Sequence, residues 1–256
     1  MKIATFGSCL SRYTANYYIR LYKGELISSV YHNRSDAFIG TCIEKKWKQP
    51  DLEHLLANFK QSPDYDPDSL PLNILTNQYI DTVGLHRLKN GLPFLQVLEN
   101  NLADVIIMDN YLDISAKLIR SSEFDGIFFK VNDLNIDNQD LKPVQNIELN
   151  LDSLELEMTE LLNIEESILN ISKIIDFIHE KSPKTKIIFL NFPHNTYEPN
   201  SERVKRIKAF EAGFKHPSAV IVPCLDVHRN FQTSEQQHFK AHQYCAYAGI
   251  IWQALR

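Results

Sequence analysis

Two short segments, one near each end of the 256-residue chain, carry the side chains best suited to nucleophilic catalysis. Ser8 and Cys9 follow a short apolar run and a glycine, and Glu235 lies three residues before His238. A hydroxyl or thiol nucleophile needs a base, usually a histidine that a carboxylate orients. An acid three residues before a histidine can hold Nδ1 and leave Nε2 facing the nucleophile. This pattern predicts acyl-transfer chemistry if the fold brings the two segments together.

Each of these residues has a competing interpretation. Ser8 lies at a strand-to-helix junction, so it serves either as the nucleophile or as the helix N-cap. We rank Ser8 above Cys9 because it directly follows the glycine, although the positive end of a helix dipole also favours a thiolate at Cys9. His238 is oriented by Glu235 or by Asp226, or it forms a dyad with Ser8. Further acid and base candidates near the C-terminus are Asp226 with His228, and His242.

The hydrophobic pattern predicts strands that alternate with helices. Short apolar runs predict five strands, at 3–6, 26–31, 104–109, 186–190 and 219–222. Apolar residues at three- and four-residue spacing predict helices over 10–23, 51–60, 80–88, 93–102, 201–214 and 241–255, and one long helix or two joined near Asn163 over 151–180. Such alternation predicts a single α/β domain over 1–256 with a mostly parallel five-stranded sheet. The region at about 111–150, which includes a hairpin-like segment at 124–131 and an Asn/Asp-rich loop at 132–138, is interpreted as an insertion.

In a sheet of this kind the site lies beyond the carboxyl ends of the strands. Because parallel strands end at the same edge, the side chains that follow them are expected to lie close together. The reactive and polar residues that follow the predicted strands are Ser8, Cys9, the segment 32–35, Asp109, Asn110, Asn191, His194, Asp226 and His228. The sheet therefore predicts one site at its carboxyl edge, built from both ends of the chain.

The composition argues against several classes of function. A formal net charge of −5 argues against nonspecific nucleic-acid binding. Eight glycines form neither of the common phosphate-binding motifs, and four scattered cysteines without a C-x-x-C pair indicate no metal site and no disulfide framework. The N-terminal segment reaches a glycine too early for a secretory signal, and no apolar run is long enough to span a bilayer. We expect a cytoplasmic protein with no cofactor, no metal, no nucleic-acid partner and no membrane span.

The order of these motifs resembles that of the SGNH (GDSL-like) hydrolase superfamily. The resemblance rests on G-S-C at 7–9 after the first strand, D-N at 109–110 after the third, and E-x-x-H at 235–238 before the last helix. The start at 6–12 and Tyr244 after the terminal histidine also look like an uncharacterised bacterial group with a G-S-C-x-[ST]-R start. Members of that group are associated with surface polysaccharide loci. The resemblance follows the chain in order, with short motifs and an unmatched middle third.

The resemblance implies a three-layer α/β/α flavodoxin-like sandwich with Ser8 as nucleophile and His238 as base. It also implies an oxyanion hole made by the Ser8 backbone N–H, a glycine after the second strand and an asparagine after the third. Gly40 and Asn110 are the residues of this chain that match the last two roles. Aspartate is usual in the superfamily where Glu235 stands, which keeps Asp226 as an alternative third member.

Candidate substrate-binding residues lie beside the same motifs. Arg12, Arg34 and Asp109 follow the first, second and third strands, and the arginines could bind a carboxylate or phosphate of an acyl donor or an acidic sugar. The alternative for both arginines is a structural salt bridge to Asp36 or Asp109.

Three functions are consistent with the sequence. The leading hypothesis is a serine-dependent acyl-ester hydrolase or O-acyltransferase that acts on a glycan or related small polar substrate, with an acyl donor in the second case. The alternative is a non-catalytic protein that binds a glycan, sugar nucleotide or coenzyme A in polysaccharide biosynthesis. The third is an inactive member of a glycan-assembly complex. The sequence leaves the oligomeric state open.

Overall fold

The computed structural model describes residues 1–47, 91–121, 127–130 and 156–256. The strands are β1 Lys2–Gly7, β2 Glu25–Tyr31, β3 Val105–Met108, β4 Leu118–Ser121, β5 Ile127–Lys130, β6 Leu156–Met158, β7 Lys186–Leu190 and β8 Ala219–Val222. The α-helices are α1 Cys9–Tyr22, α2 Ser35–Phe38, α3 Phe94–Glu99, α4 Tyr111–Ser115, α5 Ile164–Lys181, α6 Glu202–Gly213 and α7 Ala241–Ala254, with a π-helical turn at Ile39–Ile43 and a 3₁₀ turn at Arg229–Phe231. The helices predicted over 51–60 and 80–88 and the loop predicted over 132–138 lie outside the described residues.

The main sheet has five strands in the order β2-β1-β3-β7-β8, and every neighbouring pair is parallel. This confirms the prediction of a mostly parallel five-stranded sheet in an α/β fold. The strand order reverses at β1, so residues that follow β1, β2 and β3 flank the switch point where such sheets place their ligands. The sheet thus positions the segment after β1 next to those after its two neighbours.

The two faces of β3 explain its continuous apolar run. Successive side chains of a strand point to opposite faces, and all four residues of β3 are buried. Val105 and Ile107 pack into the core cluster on the side of α1 and α7, whereas Ile106 and Met108 pack into the cluster on the side of α3 and α5. A strand covered on both faces has no polar face, which is why the sequence shows no alternation there.

The prediction of helix over the whole of 151–180 is wrong in its first part. Residues Leu156–Met158 form β6, and the helix begins only at Ile164, where the Asn163 side chain accepts a hydrogen bond from the Glu165 N–H. Acids occupy the first turn of α5 and His179 and Lys181 the last, as the helix dipole favours. The expected junction near Asn163 is therefore the start of the helix, because its side chain supplies the cap.

Strands β4, β5 and β6 form a separate antiparallel sheet in the order β5-β4-β6. Two buried or half-buried arginines hold the chain where it enters and leaves this sheet. Arg34 donates to the carbonyls of Ala116 and Glu160, at 3.1 and 3.0 Å, and Arg206 donates to the carbonyls of Ile114 and Leu162. Each arginine thereby joins the incoming segment to the outgoing one.

Among the helices in the described part of the chain, none has both the length and the hydropathy that crossing a bilayer requires.

Candidate functional site

Ser8 and Cys9 lie at the junction between β1 and α1, where they occupy different positions. Ser8 has extended backbone angles and is the N-cap of α1, and its Oγ accepts a hydrogen bond of 3.1 Å from the Leu10 N–H. Its side chain is buried, at 3% exposure. Cys9 is the first residue of the helix and is half-buried. Ser8 therefore acts as the helix cap. The side chain that faces the carboxyl edge of the sheet is that of Cys9.

The two ends of the chain meet at Cys9. His238 Nε2 lies 3.0 Å from Cys9 Sγ, and His238 Nδ1 is hydrogen-bonded to a carboxylate oxygen of Glu235. The turn that joins acid and histidine is held by the His238 backbone N–H, which donates to the Glu235 carbonyl at 3.0 Å. Thiol, imidazole and carboxylate thus form a chain of contacts in the order required of a nucleophile, a base and an orienting acid.

Tyr31 is a member of this cluster that the sequence analysis missed. Its Oη lies 2.7 Å from Cys9 Sγ. Tyr31 is the last residue of β2 and pairs with Gly7 across the parallel ladder, so it ends at the same edge as the residues that follow β1. Burial raises the pKa of the Tyr31 phenol, and a charge on Cys9 raises it further. Tyr31 therefore stays protonated and can donate its O–H toward the sulfur atom.

The contact with Cys9 also determines the protonation of His238. The hydrogen bond to Cys9 raises the pKa of His238 to about 9, burial partly opposes this, and Glu235 adds to the increase. An imidazolium beside a sulfur atom at a helix N-terminus favours the thiolate form of the cysteine. At neutral pH His238 is therefore protonated, and its Nε2 faces the Cys9 sulfur atom.

We expect replacement of Cys9 by alanine to lower the pKa of His238 from about 9 toward its ordinary value of 6.5, because it removes the largest cause of the increase. A pH titration of the imidazole signals by NMR measures this directly, with the other histidines as internal references.

The interaction between His238 and Cys9 also makes stability depend on pH. Because the pKa of His238 is higher in the folded than in the unfolded protein, the interaction stabilises the fold fully below about pH 6.5 and is lost as pH rises through 9. An unchanged His238 titration in Cys9→Ala would contradict the pairing.

Asp109 holds the turn that presents Cys9. Its carboxylate is 1% exposed and accepts hydrogen bonds from the backbone N–H groups of Ser8 at 2.9 Å, Ser11 at 3.0 Å and Tyr111 at 3.0 Å. Gly7 makes this approach possible, because a Cβ there would lie 2.6 Å from the Asp109 backbone oxygen, and its φ of +144° disfavours other residues. Asp109 was expected to bind substrate, but both of its oxygens are occupied by backbone donors.

The first turn of α1 shows which backbone N–H is available for an oxyanion. The Ser8 N–H, expected in that role, donates instead to Asp109. The N–H groups of Leu10 and Ser11 are also bonded, to Ser8 Oγ and to Asp109. Within the described part of the chain, the Cys9 N–H has no hydrogen-bond acceptor. This N–H lies in the first turn of α1, on the same residue as the thiol.

The other two residues expected in an oxyanion hole make contacts within the fold. Asn110 is buried and its Nδ2 faces Ser167 Oγ on α5, at 3.5 Å. Gly40 lies in the π-helical turn, where the indole of Trp47 covers it so closely that a Cβ would approach that ring to 2.0 Å. The Gly40 position thus accommodates Trp47, and the hydrogen-bond partners of the Cys9 sulfur are Tyr31 and His238.

Arg34 is held by protein groups and does not present its guanidinium to a ligand. It forms a bidentate salt bridge with Asp36, at 2.8 and 2.6 Å, in addition to its bonds to two carbonyls, and it is 3% exposed. The salt-bridge alternative is therefore the one that the structure contains. Arg12 lies closer to the site, since its charge lowers the pKa of the Tyr31 phenol against the stronger effect of burial.

Asp226 lies apart from the Cys9 cluster. It is exposed and lines a pocket of about 570 Å³ together with His194, Glu211, Cys224, Leu225, Gln243, Ala246 and Ile250. His228 is exposed as well and accepts a hydrogen bond from the Asn230 N–H. Burial raises the pKa of the Cys224 thiol to about 11. His194, Glu211 and Cys224 are the described residues whose donor atoms lie close enough together to hold a metal ion.

Comparisons with known proteins identify no family for this chain. The sequence matches no family model and no curated protein. Solved structures that resemble the fold include a carbohydrate esterase whose active site displays divergent catalytic and non-catalytic binding functions (10% identity, TM-score 0.44) and a carbohydrate esterase family 2 enzyme from Corynascus thermopiles (Myceliophthora fergusii) with a carbohydrate-binding domain (9%, 0.45). Another is an acetyl xylan esterase from the rumen bacterium Butyrivibrio proteoclasticus (12%, 0.43).

These likenesses extend over 99 to 100% of this chain but only 63 to 64% of the other chains. The chain therefore spans less than two thirds of the length of these three proteins. With identities of 9 to 12% and TM-scores of 0.43 to 0.45, they carry no argument about activity.

Proposed function

We propose that the protein is a cysteine-dependent acyl-ester hydrolase or O-acyltransferase that acts on a carbohydrate or a related polar substrate. Cys9 is the nucleophile, His238 the acid and base, and Glu235 the group that orients the imidazole. The observation that carries the proposal is the distance of 3.0 Å between His238 Nε2 and Cys9 Sγ, with Glu235 bonded to Nδ1 of the same ring. This differs from the acyl-serine mechanism expected from the sequence, in which Ser8 attacks.

The reaction follows from these contacts in two steps. The Cys9 thiolate attacks the acyl carbonyl carbon, and the C–O bond breaks as the His238 imidazolium donates its proton to the departing alcohol oxygen. The products of this step are a thioester on Cys9 and a neutral imidazole. In the second step His238 Nε2 accepts a proton from water or a sugar hydroxyl, whose oxygen attacks the thioester and releases Cys9. Water gives hydrolysis, and a sugar hydroxyl gives acyl transfer.

The negative oxygen that forms in each step needs hydrogen-bond donors. The Cys9 backbone N–H lies at the start of α1, where the helix dipole favours negative charge. The Tyr31 O–H, already within 2.7 Å of the sulfur, is the second donor. Donors fixed in place before the reaction lower its barrier without reorganisation.

Aromatic side chains beside the histidine support a carbohydrate substrate. The Tyr13 ring is 39% exposed and lies 6.2 Å from the His238 ring and 5.3 Å from the Tyr244 ring, measured between centroids. Flat aromatic faces beside a site can pack against the apolar face of a sugar ring. The non-catalytic alternative, in which Arg34 and Ser8 bind a phosphate, has less support because Arg34 is saturated by Asp36 and backbone carbonyls.

The proposal is tested by trapping the acyl-enzyme. The full-length protein is mixed with an activated short-chain ester such as p-nitrophenyl acetate, quenched in acid and examined by mass spectrometry. We expect a single acetyl group on the peptide that contains Cys9, labile to hydroxylamine at neutral pH as a thioester is. The label should persist in Ser8→Ala and in the control Cys245→Ala, and disappear in Cys9→Ala. A label that is lost in Ser8→Ala and kept in Cys9→Ala would restore the serine mechanism, and no label in any of them would favour binding without catalysis.

We expect Tyr31→Phe to reduce kcat by about 100-fold, the loss typical of removing one donor from an oxyanion site. The phenyl ring keeps the packing of Tyr31, so the fold should remain intact by circular dichroism. Tyr22→Phe is the matched control, since Tyr22 packs against Trp252 at the far end of α1. Equal kcat values for Tyr31→Phe and Tyr22→Phe would show that the Tyr31 hydroxyl takes no part.

A further inference from the structure

A second group of reactive side chains lies away from Cys9. His194 follows β7, Glu211 is on α6, and Cys224 follows β8. One donor atom from each of the three lies within 4.8 Å of the others, and each residue is half-buried. Three separate elements thus bring their ligand atoms together.

The loops that carry these residues are fixed to one another by hydrogen bonds. The Asn195 side chain accepts from the Val227 N–H at 2.9 Å and donates to the Val227 carbonyl at 3.0 Å, which ties the loop of His194 to the loop of Cys224. The Cys224 N–H donates to Glu211 Oε1 at 2.7 Å, which leaves the other carboxylate oxygen available. Side chains held in this way lose little freedom when they bind a ligand.

The three donors also differ from the Cys9 cluster in how they point. His238 uses Nε2 for Cys9 and Nδ1 for Glu235, on opposite sides of the ring, so that cluster cannot converge on one ion. The His194 cluster places one nitrogen, one sulfur and one oxygen within 4.8 Å of one another. Imidazole, thiolate and carboxylate together match the ligand preferences of Zn²⁺ among the common divalent ions.

We propose that His194, Glu211 and Cys224 form a zinc site with three protein ligands and a fourth position open to solvent. A tetrahedral ion 2.0 to 2.3 Å from its ligands holds them about 3.5 Å apart, so small side-chain rotations close the gap from 4.8 Å. When the ion binds, Cys224 releases its thiol proton and coordinates as the thiolate. The pocket of about 570 Å³ that borders the three residues provides the entry path and room for a water ligand, with the Asp226 carboxylate on its wall.

This site is independent of the proposed acyl transfer, and it departs from the expectation of no metal that the cysteine spacing suggested. The sequence signal was weak because the three ligands come from separate elements, without the short C-x-x-C spacing that identifies most zinc sites. The fourth position distinguishes the proposal from a closed structural site, in which four protein ligands surround the ion.

Cobalt substitution tests the proposal without reference to any enzymatic activity. The full-length protein is treated with a chelator, desalted and titrated with Co²⁺, whose thiolate complexes show a charge-transfer band in the near ultraviolet. We expect the band to saturate at one equivalent, to be displaced by Zn²⁺, and to disappear in Cys224→Ser. His194→Ala should weaken Co²⁺ binding by more than the about 10- to 100-fold cost of losing a residue that only orients a ligand.

Cys9→Ser is the matched control, since it removes the cysteine that contacts His238 and should keep the band. Zn²⁺ should also raise the Tm of the wild-type protein and leave that of Cys224→Ser unchanged, because only the folded wild type binds it. Absence of the band in the wild type, or a band that survives Cys224→Ser and is lost in Cys9→Ser, would overturn the proposal. If Cys224→Ser does not fold, the His194→Ala titration decides.

Discussion

Cys9→Ala is expected to reduce kcat for activated acyl esters by at least about 1,000-fold, while Ser8→Ala keeps kcat within about tenfold of wild type. The thiol of Cys9 is the side chain in contact with His238, whereas Ser8 Oγ is buried and accepts from the Leu10 N–H. Removal of the nucleophile eliminates the covalent route entirely. Removal of the cap costs about 1 kcal/mol of stability and leaves the route intact.

The same kinetic measurements test whether Cys9 and His238 act as one catalytic unit or contribute independently to kcat. Because nucleophile and base act together, His238→Ala should lose about as much kcat as Cys9→Ala, and the double variant should lose little more. Steady-state kinetics on the purified variants, with folding checked by circular dichroism, give the comparison. Additive losses in the double variant, or a larger loss in Ser8→Ala than in Cys9→Ala, would contradict the assignment of Cys9.

Asp109→Ala is expected to cost about 3 kcal/mol or more of the free energy of unfolding. The buried carboxylate accepts three backbone N–H groups, and its removal leaves those donors buried without partners, at about 1 to 3 kcal/mol each. Asp109→Asn should cost less, because the amide keeps one of the two oxygens. Urea denaturation of the variants measures the difference.

Asp104→Ala is the matched control for this prediction. Asp104 also accepts a backbone N–H, from Lys2 at 2.7 Å, but at an exposed position where water can replace it. Its removal should lower the free energy of unfolding by no more than about 0.5 kcal/mol. Equal losses for the two variants would show that burial of the Asp109 network contributes nothing to stability.

Where the Asp109 variants remain folded, we also expect reduced labelling of Cys9, since the turn from Ser8 to Ser11 is no longer held.

The sheet could be predicted from the sequence because its central strands, β1, β3 and β7, are buried on both faces. Val105 to Met108 read as an apolar run with no helical spacing, and the alternation with helices then requires parallel strands. Leu156–Met158 could not be assigned in the same way. That strand has only three residues, and its apolar positions merge with the helical spacing of α5 that follows Asn163.

The site was harder to predict than the sheet, because a shift of a single residue changes which side chain faces His238. Whether Ser8 or Cys9 faces His238 depends on which residue is the N-cap, and neighbouring side chains on a helix point about 100° apart. Choosing between Glu235 and Asp226 required the path of an irregular loop, which has no periodicity. Tyr31 could have been found from the sequence by asking which residue ends the strand beside β1.

Arg34 and Arg206 hold the chain at both ends of the small antiparallel sheet. This sheet can therefore change as a unit. The carbonyls of Ile114 and Ala116 on the way in, and of Glu160 and Leu162 on the way out, are fixed to the main domain by guanidinium groups. The distance between the two ends is therefore set by the domain and not by what connects them. Changes in the length or sequence of the segment between these carbonyls are therefore expected to leave Cys9 and His238 in place.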